Sequence, residues 1–408
     1  MSGVSFLNWL DQNKWKLNFV VLVITLLLVG GAFAIWSRWE LPLTSPISPQ
    51  TRFRFTLGSW LRQPTAQPPV VYGFLPYWNL KSAQINPNLT HLSYFSLTVG
   101  PDGSLETTGD DESLAGYRGL QSDRFLEIIE IMEKEEINLE LVLKQFSNDD
   151  AAKFIPDQKA QENLYSQLSS LLLAYPVAGI NLDFELTKLW PDAQPQFTQF
   201  VQNLKQYLIK HHPNAKLSID VYASAAQGQN LWNIAALEPW TDWFVVMAYD
   251  FHQRGSPQAG PVAPLIGTQA GSHNNINANL KEFLEQVPPA KILLGIPFYG
   301  YEWQTDSRNQ SANTYPDTGR TATYERVQDV LSQKRALQVK ESWNDIALVP
   351  YLSYEKDDLT YIIYYENQRS LVYKIDYVNQ LNLAGIAIWA LGYEGDNQDL
   401  WTVIDQKL

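Results

Sequence analysis

The stretch Gly179-Ile180-Asn181-Leu182-Asp183-Phe184-Glu185 places an amide and two carboxylates at alternate positions, separated by Ile180, Leu182 and Phe184. In a β-strand successive side chains point to opposite faces. Asn181, Asp183 and Glu185 therefore share one face, and the apolar residues share the other. Two carboxyl groups held this close titrate together, because the anion of one disfavours ionisation of the other. Facing a site, such a pair is a candidate for acid–base chemistry. Burying these polar groups without partners costs free energy. Either an internal network satisfies them or a function retains them.

A frame must hold that strand. Short apolar runs recur at 70–78, 89–97, 139–146, 179–185, 216–222, 243–251, 291–300 and 384–392. Amphipathic patterns lie between several of them, at 123–136, 162–175 and 195–211, and Ser370 is a candidate N-cap for a helix over 370–381. Strands alternating with helices predict a parallel sheet, and their number predicts a closed (β/α)8 TIM barrel. An open doubly wound sheet is the alternative, but it usually carries a glycine-rich turn after its first strand, and Tyr72–Asn79 has none. Residues 302–366 are too long for one loop and helix. With a helix pattern at 324–334 they predict a small α+β insertion between strands seven and eight.

In a barrel the polar face of 179–185 points inward and Glu185 lies at the C-terminal rim, where barrel enzymes do their chemistry. Other strand ends agree. Met247, Tyr249 and Asp250 close strand six, Tyr77 and Trp78 strand one, Tyr299 and Tyr301 strand seven, and Trp389 strand eight. Aromatic rings with scattered carboxylates suit a carbohydrate cleft, since pyranose C–H faces stack on rings. Any one of these aromatics could equally be core packing.

Composition narrows the classes. The 408 residues include 43 acidic and 30 basic side chains, a net charge of −13, which lacks the basic face a nucleic-acid binder needs. No cysteine is present, so disulfides, thiolate metal sites and cysteine nucleophiles are excluded. Five histidines without a close cluster imply no metal site, and no cofactor is expected. From Phe19 to Trp36 the chain carries no charge. A helix there would reach about 27 Å, close to the hydrocarbon thickness of a bilayer. Lys14 and Lys16 before it favour a short cytoplasmic segment over 1–18, a transmembrane helix over 19–36, a Pro-rich linker over 37–69 and an exported domain over 70–408. Ala32-Phe33-Ala34 could instead be a signal-peptidase site, which would make the domain secreted. Under both readings it works outside the cytoplasm, periplasmic or extracellular.

Together these motifs resemble the catalytic domain of glycoside hydrolase family 18, the chitinase-like enzymes. The family's Asp-Gly-x-Asp-x-Asp-x-Glu signature stands here as Ala178 to Glu185. Residues 247–250 (MAYD), 291–300 (KILLGIPFYG) and 384–394 (AGIAIWALGYE) match further motifs in order, so the likeness covers about residues 70–406. Within the family the chain looks most like the bacterial branch of spore-cortex and cell-wall hydrolases. The resemblance implies retaining cleavage of β-1,4 bonds after an N-acetylglucosamine-type sugar, with the substrate's acetamido oxygen as nucleophile. It implies Glu185 as acid and then base, Asp183 on the acetamido N–H, Tyr249 on the acetamido oxygen, and Trp389 as the floor. Asn181, Asp250, Met247, Tyr77, Trp78, Tyr299 and Tyr301 complete the expected substrate-binding set. Two positions depart from the signature. Ala178 replaces the first aspartate, removing an outer support. Asn181 replaces the second, and it can orient Asp183 but cannot carry charge. The implied partner is a glycan containing N-acetylglucosamine, peptidoglycan or chitin-like, with the membrane contacted through the N-terminal helix. A lectin-like protein on the same fold is the alternative, against which the intact Glu185 speaks.

Overall fold

The computed structural model describes residues 68–105, 111–228, 230–267 and 274–408. The expected transmembrane helix, and the linker up to residue 67, lie outside the described residues. Among the described residues no helix is long and apolar enough to cross a membrane.

Thirteen strands are described. They are β1 (Val70–Pro76), β2 (His91–Thr98), β3 (Asn138–Gln145), β4 (Val177–Phe184), β5 (Lys216–Tyr222), β6 (Trp243–Met247) and β7 (Ile292–Pro297). Then follow β8 (Tyr299–Thr305), β9 (Arg320–Thr323), β10 (Lys340–Asn344), β11 (Val349–Lys356), β12 (Leu359–Tyr364) and β13 (Gly385–Trp389). Strands β1 to β7 and β13 pair in parallel and close a barrel, since β1 bonds both β2 and β13. That closure excludes the open doubly wound sheet. Strands β8 to β12 form a separate antiparallel sheet in the order β10-β11-β12-β8-β9, with a helix over Tyr324–Ser332.

The alternation in β4 is what seats it. Ile180, Leu182 and Phe184 turn outward, where the Phe184 ring meets Phe197 at 5.6 Å and Phe200 at 5.9 Å between centroids. Those two rings lie on the helix Ala193–His211, which also buries Val201, Leu204 and Leu208 at helical spacing. Each such side chain contributes roughly 1.5–3 kcal/mol on burial. The helix Asp123–Lys134 is set the same way, with Ser122 capping Phe125 N–H and Phe125, Ile128, Ile129 and Met132 turned to the core.

The barrel interior is divided. Tyr72, Phe74, Phe95, Val142, Val245, Leu293 and Ala387 pack into one apolar cluster. The inward faces of β3, β4 and β5 instead bury Glu140, Asn181, Asp183, Ser218 and Asp220. Gly179 belongs to this division. It is registered with Glu140 on β3, and a Cβ at position 179 would stand 2.9 Å from the Glu140 carboxyl carbon.

Three local expectations change. The run 291–300 is two strands rather than one, because Tyr299 and Tyr301 belong to β8 of the second sheet. Strand β6 stops at Met247, and Asp250 beyond it takes a left-handed backbone (φ 61°) that strand geometry cannot hold. The helix expected from Ser370 starts at Gln368 and is capped by Asn367. Ser370 answers from inside the first turn by accepting from the Asn367 N–H, a reciprocal capping box.

Gly179→Ala is expected to destabilise the protein by about 1–3 kcal/mol through this clash. Thermal denaturation should show a lower Tm, and an unchanged Tm would mean that Glu140 does not occupy that space.

Candidate active site

Strand ends bring the chemistry together. Glu185 follows the last residue of β4 and is half-buried; Asp183 below it on the same face is 4% exposed. Asp220, two strand positions past Ser218 on β5, is 3% exposed. These three carboxyls, Asp250, Tyr222, Tyr249 and Met247 line a cavity of about 560 Å³. Aromatic rings form much of the remaining wall, with Ala223, Ser224, Gln253 and Asn274. Trp389 packs edge-on against Phe95 at 4.8 Å and Trp78 at 6.4 Å, and all three line the cavity. Trp78 (46% exposed) and Phe146 (45%) stand open at its lip, an arrangement that offers apolar faces to a sugar.

Beneath the cavity runs a hydrogen-bonded row. Asn181 Nδ2 donates to Asp220 Oδ1 at 2.7 Å and to Ser218 Oγ at 3.0 Å. Ser218 Oγ donates to Glu140 Oε2 at 3.0 Å, and the Tyr72 hydroxyl donates to the same oxygen at 2.7 Å. Asn181 Oδ1, Asp183 Oδ1 and Glu140 Oε1 are buried and have no hydrogen-bond partner among the described residues. Buried acceptors in this state favour the protonated form of the carboxyls among them.

The electrostatics follow from the same crowding. Burial pushes the Glu140 carboxyl up to about 7, against the opposing hydrogen bonds from Tyr72 and Ser218. Burial also holds Asp183 well above the ordinary carboxylate range, reinforced by the charges of Glu185 and Asp220, while Lys144 opposes. Glu185 is raised by burial and by Asp250, with a hydrogen bond from Tyr222 acting the other way. Tyr249 is pushed up by burial and then by the surrounding carboxylates, so its hydroxyl keeps its proton and remains a donor.

Asp250 is held differently. Tyr299 donates to its Oδ1, and Tyr301 donates to both of its oxygens at 3.1 and 3.0 Å. The left-handed backbone at Asp250 is thus fixed by two phenols of the second sheet.

Of the residues predicted from sequence, Asp183, Glu185, Met247, Tyr249, Asp250, Trp78, Tyr299 and Trp389 line one cavity. Asn181 lies beneath it, fully buried. Tyr301 stands behind Asp250. Tyr77 falls in a 3-10 turn, Tyr77–Asn79, and packs against the outer core instead. Asp220, Tyr222, Phe95 and Phe146 were not predicted. The signal for two of them was present, since Ser218, Asp220 and Tyr222 alternate with Leu217, Ile219 and Val221 as the polar residues of β4 do.

Residues 70–394 match the sequence profile described as glycosyl hydrolases family 18. The chain belongs to that family. It is a glycoside hydrolase. The "Uncharacterized glycosylase YvbX" of Bacillus subtilis is 27% identical over 266 residues, 64% of this chain and 70% of that one. The "Cortical fragment-lytic enzyme" of Bacillus anthracis is 22% identical over 315 residues, 76% of this chain and 66% of that one. Among solved structures, the Group IV chitinase of Ostrinia furnacalis has the same fold, with a TM-score of 0.73 at 18% identity over 84% of this chain and 100% of that one.

The Tyr222 bond yields a signed prediction for this hydrolase. A protonated Glu185 is needed for acid catalysis, so activity falls as pH rises through its pKa. Tyr222 stabilises the anion. Tyr222→Phe should therefore move the alkaline limb of kcat/KM to higher pH, and a limb moved to lower pH would contradict this geometry.

Proposed function

We propose that this enzyme cleaves β-1,4 bonds of a glycan containing N-acetylglucosamine, with retention, using the substrate's acetamido oxygen as nucleophile. One observation carries the reading: of the four carboxyls that line the cavity, only Glu185 is placed to meet a glycosidic oxygen. Asp183 and Asp220 are 4% and 3% exposed, and both oxygens of Asp250 are engaged by Tyr301. A retaining glycosidase with a protein nucleophile needs a second carboxylate open enough to bond the anomeric carbon. Here the substrate supplies the attacking atom.

In this reading Glu185 gives its proton to the leaving oxygen as the acetamido oxygen closes on the anomeric carbon. It then takes a proton from the water that opens the ring so formed. Asp183, just beneath, accepts from the acetamido N–H and offsets the positive charge developing there. The Tyr249 hydroxyl donates to the acetamido oxygen, and Trp389 lies under the sugar. The raised proton affinity of Glu185 suits an acid working near neutral pH.

Peptidoglycan is the polymer we favour over chitin. The likeness to a cortical fragment-lytic enzyme supports it, and so does the uncharged run 19–36, which fits an anchor that holds the domain beside the wall. Protease added outside intact spheroplasts should then digest the domain, whereas protection would place it in the cytoplasm.

The enzymatic test compares the full-length protein with Glu185→Gln on purified peptidoglycan and on N-acetylglucosamine oligomers, with products read by mass spectrometry. The wild type should release fragments with an N-acetylglucosamine reducing end, and the variant should lose roughly 10²–10⁴-fold in kcat. Folded wild-type protein that cuts neither polymer refutes the proposal; cutting only the oligomers reassigns the substrate to chitin.

A further inference from the structure

Asp220 has no part in the chemistry described so far, yet it is the most enclosed carboxyl lining the cavity. Among the described residues no cationic side chain forms an ion pair with it. Its hydrogen-bond donor is a neutral amide, Asn181 Nδ2, at 2.7 Å. A buried carboxylate without a cation is costly, and an asparagine at 220 could accept the same bond without that cost. What aspartate adds at 220 is the capacity to take up and release a proton, and that capacity has a use.

The groups facing Asp220 show what it is. From β4 come Asn181, Asp183 and Glu185; from β3 come Glu140, linked through Ser218, and Lys144, in register with Asp183. Tyr72 faces it from β1, Tyr222 shares its strand, and Tyr249 stands beyond β6 with Asp250. Asp183 and Asp220 each follow the last registered pair of β4 and β5, Leu182 and Ile219, and both line the cavity. Position 181, where a carboxylate could have stood on β4, holds an amide that bonds straight to Asp220.

We propose that Asp220 is a positioning residue that shares one proton with Asp183, supplying from β5 the second carboxylate that β4 lacks. The proton rests on Asp183. As positive charge develops on the acetamido group, the O–H bond of Asp183 breaks and one forms on Asp220. Net charge is conserved, and the Asp183 anion is left facing the substrate. Two buried carboxyls holding one proton is the arrangement that repulsion between close anions imposes. This inference rests on the function proposed above.

The test uses the full-length protein and three variants: Asp220→Asn, Asn181→Asp and the double exchange. Asp220→Asn keeps the hydrogen bond to Asn181 and removes the charge, so kcat should fall roughly 10²-fold with KM little changed. The double exchange returns a carboxylate to the pair from β4 and should recover most of that loss, while Asn181→Asp alone should not raise kcat. An Asp220→Asn variant with wild-type kcat overturns the proposal, as does a folded double exchange no better than Asp220→Asn. If Asp220→Asn fails to fold, the double exchange alone decides: active supports the proposal, folded but inactive overturns it.

Heat denaturation separates this claim from the assigned reaction. Burial and neighbouring anions raise the proton affinity of both acids in the folded state. The native protein thus binds more protons than the unfolded chain above the ordinary carboxylate range, and stability drops as pH rises through the folded values. Asp220→Asn should flatten the fall of Tm over about pH 4–8. If the wild type cuts no glycan, the proposed function fails on its own, and an unflattened slope would separately overturn the pairing.

Discussion

The structure is organised around acids buried in a barrel with hardly a cation to balance them. Glu140, Asp183 and Asp220 are all buried, and Lys144 is the basic side chain registered beside them. Protons and neutral donors compensate instead. Tyr72, Ser218 and Asn181 each give a hydrogen to a carboxylate, and burial raises every one of these acids towards its neutral form. Glycine at 179 follows from the space Glu140 needs, and serine at 218 from the two bonds it must relay. At the rim, Glu185 is raised by its own burial and by Asp250, with Tyr222 acting the other way.

The second sheet shares in this economy of charge. Its first strand, β8, carries Tyr299 and Tyr301, whose hydroxyls hold Asp250 in its left-handed turn. Its apolar cluster also receives Tyr249 and Trp389 from the barrel rim. The insertion between β7 and β13 thus acts on the same rim that carries Glu185. An antiparallel sheet serves this role well, because its alternate phenols face one way and are locked by the ladder.

Much of this was legible in the residues. The alternation in Gly179–Glu185 fixed a strand with one polar face, and the order of apolar runs gave the barrel and its rim. What escaped detection depends on neighbours far apart in sequence. Glu140 and Asp220 matter because β3 and β5 flank β4, and no single strand displays that pairing. Ser218-Ile219-Asp220-Val221-Tyr222 has the same alternation as the β4 segment, so its polar face could have been read, but not the bond to Asn181. Asn181 itself was expected to orient Asp183, whereas its amide nitrogen turns to Asp220 and Ser218. Tyr77 misled because the chain leaves β1 in a tight turn, which rotates that ring towards the outer core and leaves Trp78 at the cavity.

The central claim is that Glu185, as acid and then base, works with a nucleophile belonging to the substrate. The most direct measurement is the anomeric configuration of the first product, followed by proton NMR during the opening minutes of hydrolysis, before mutarotation. Attack by the acetamido oxygen and then by water inverts the anomeric carbon twice, so the β-anomer should appear first. An initial α-anomer would mean a single displacement by water, with a carboxylate other than Glu185 as base, and would contradict the account.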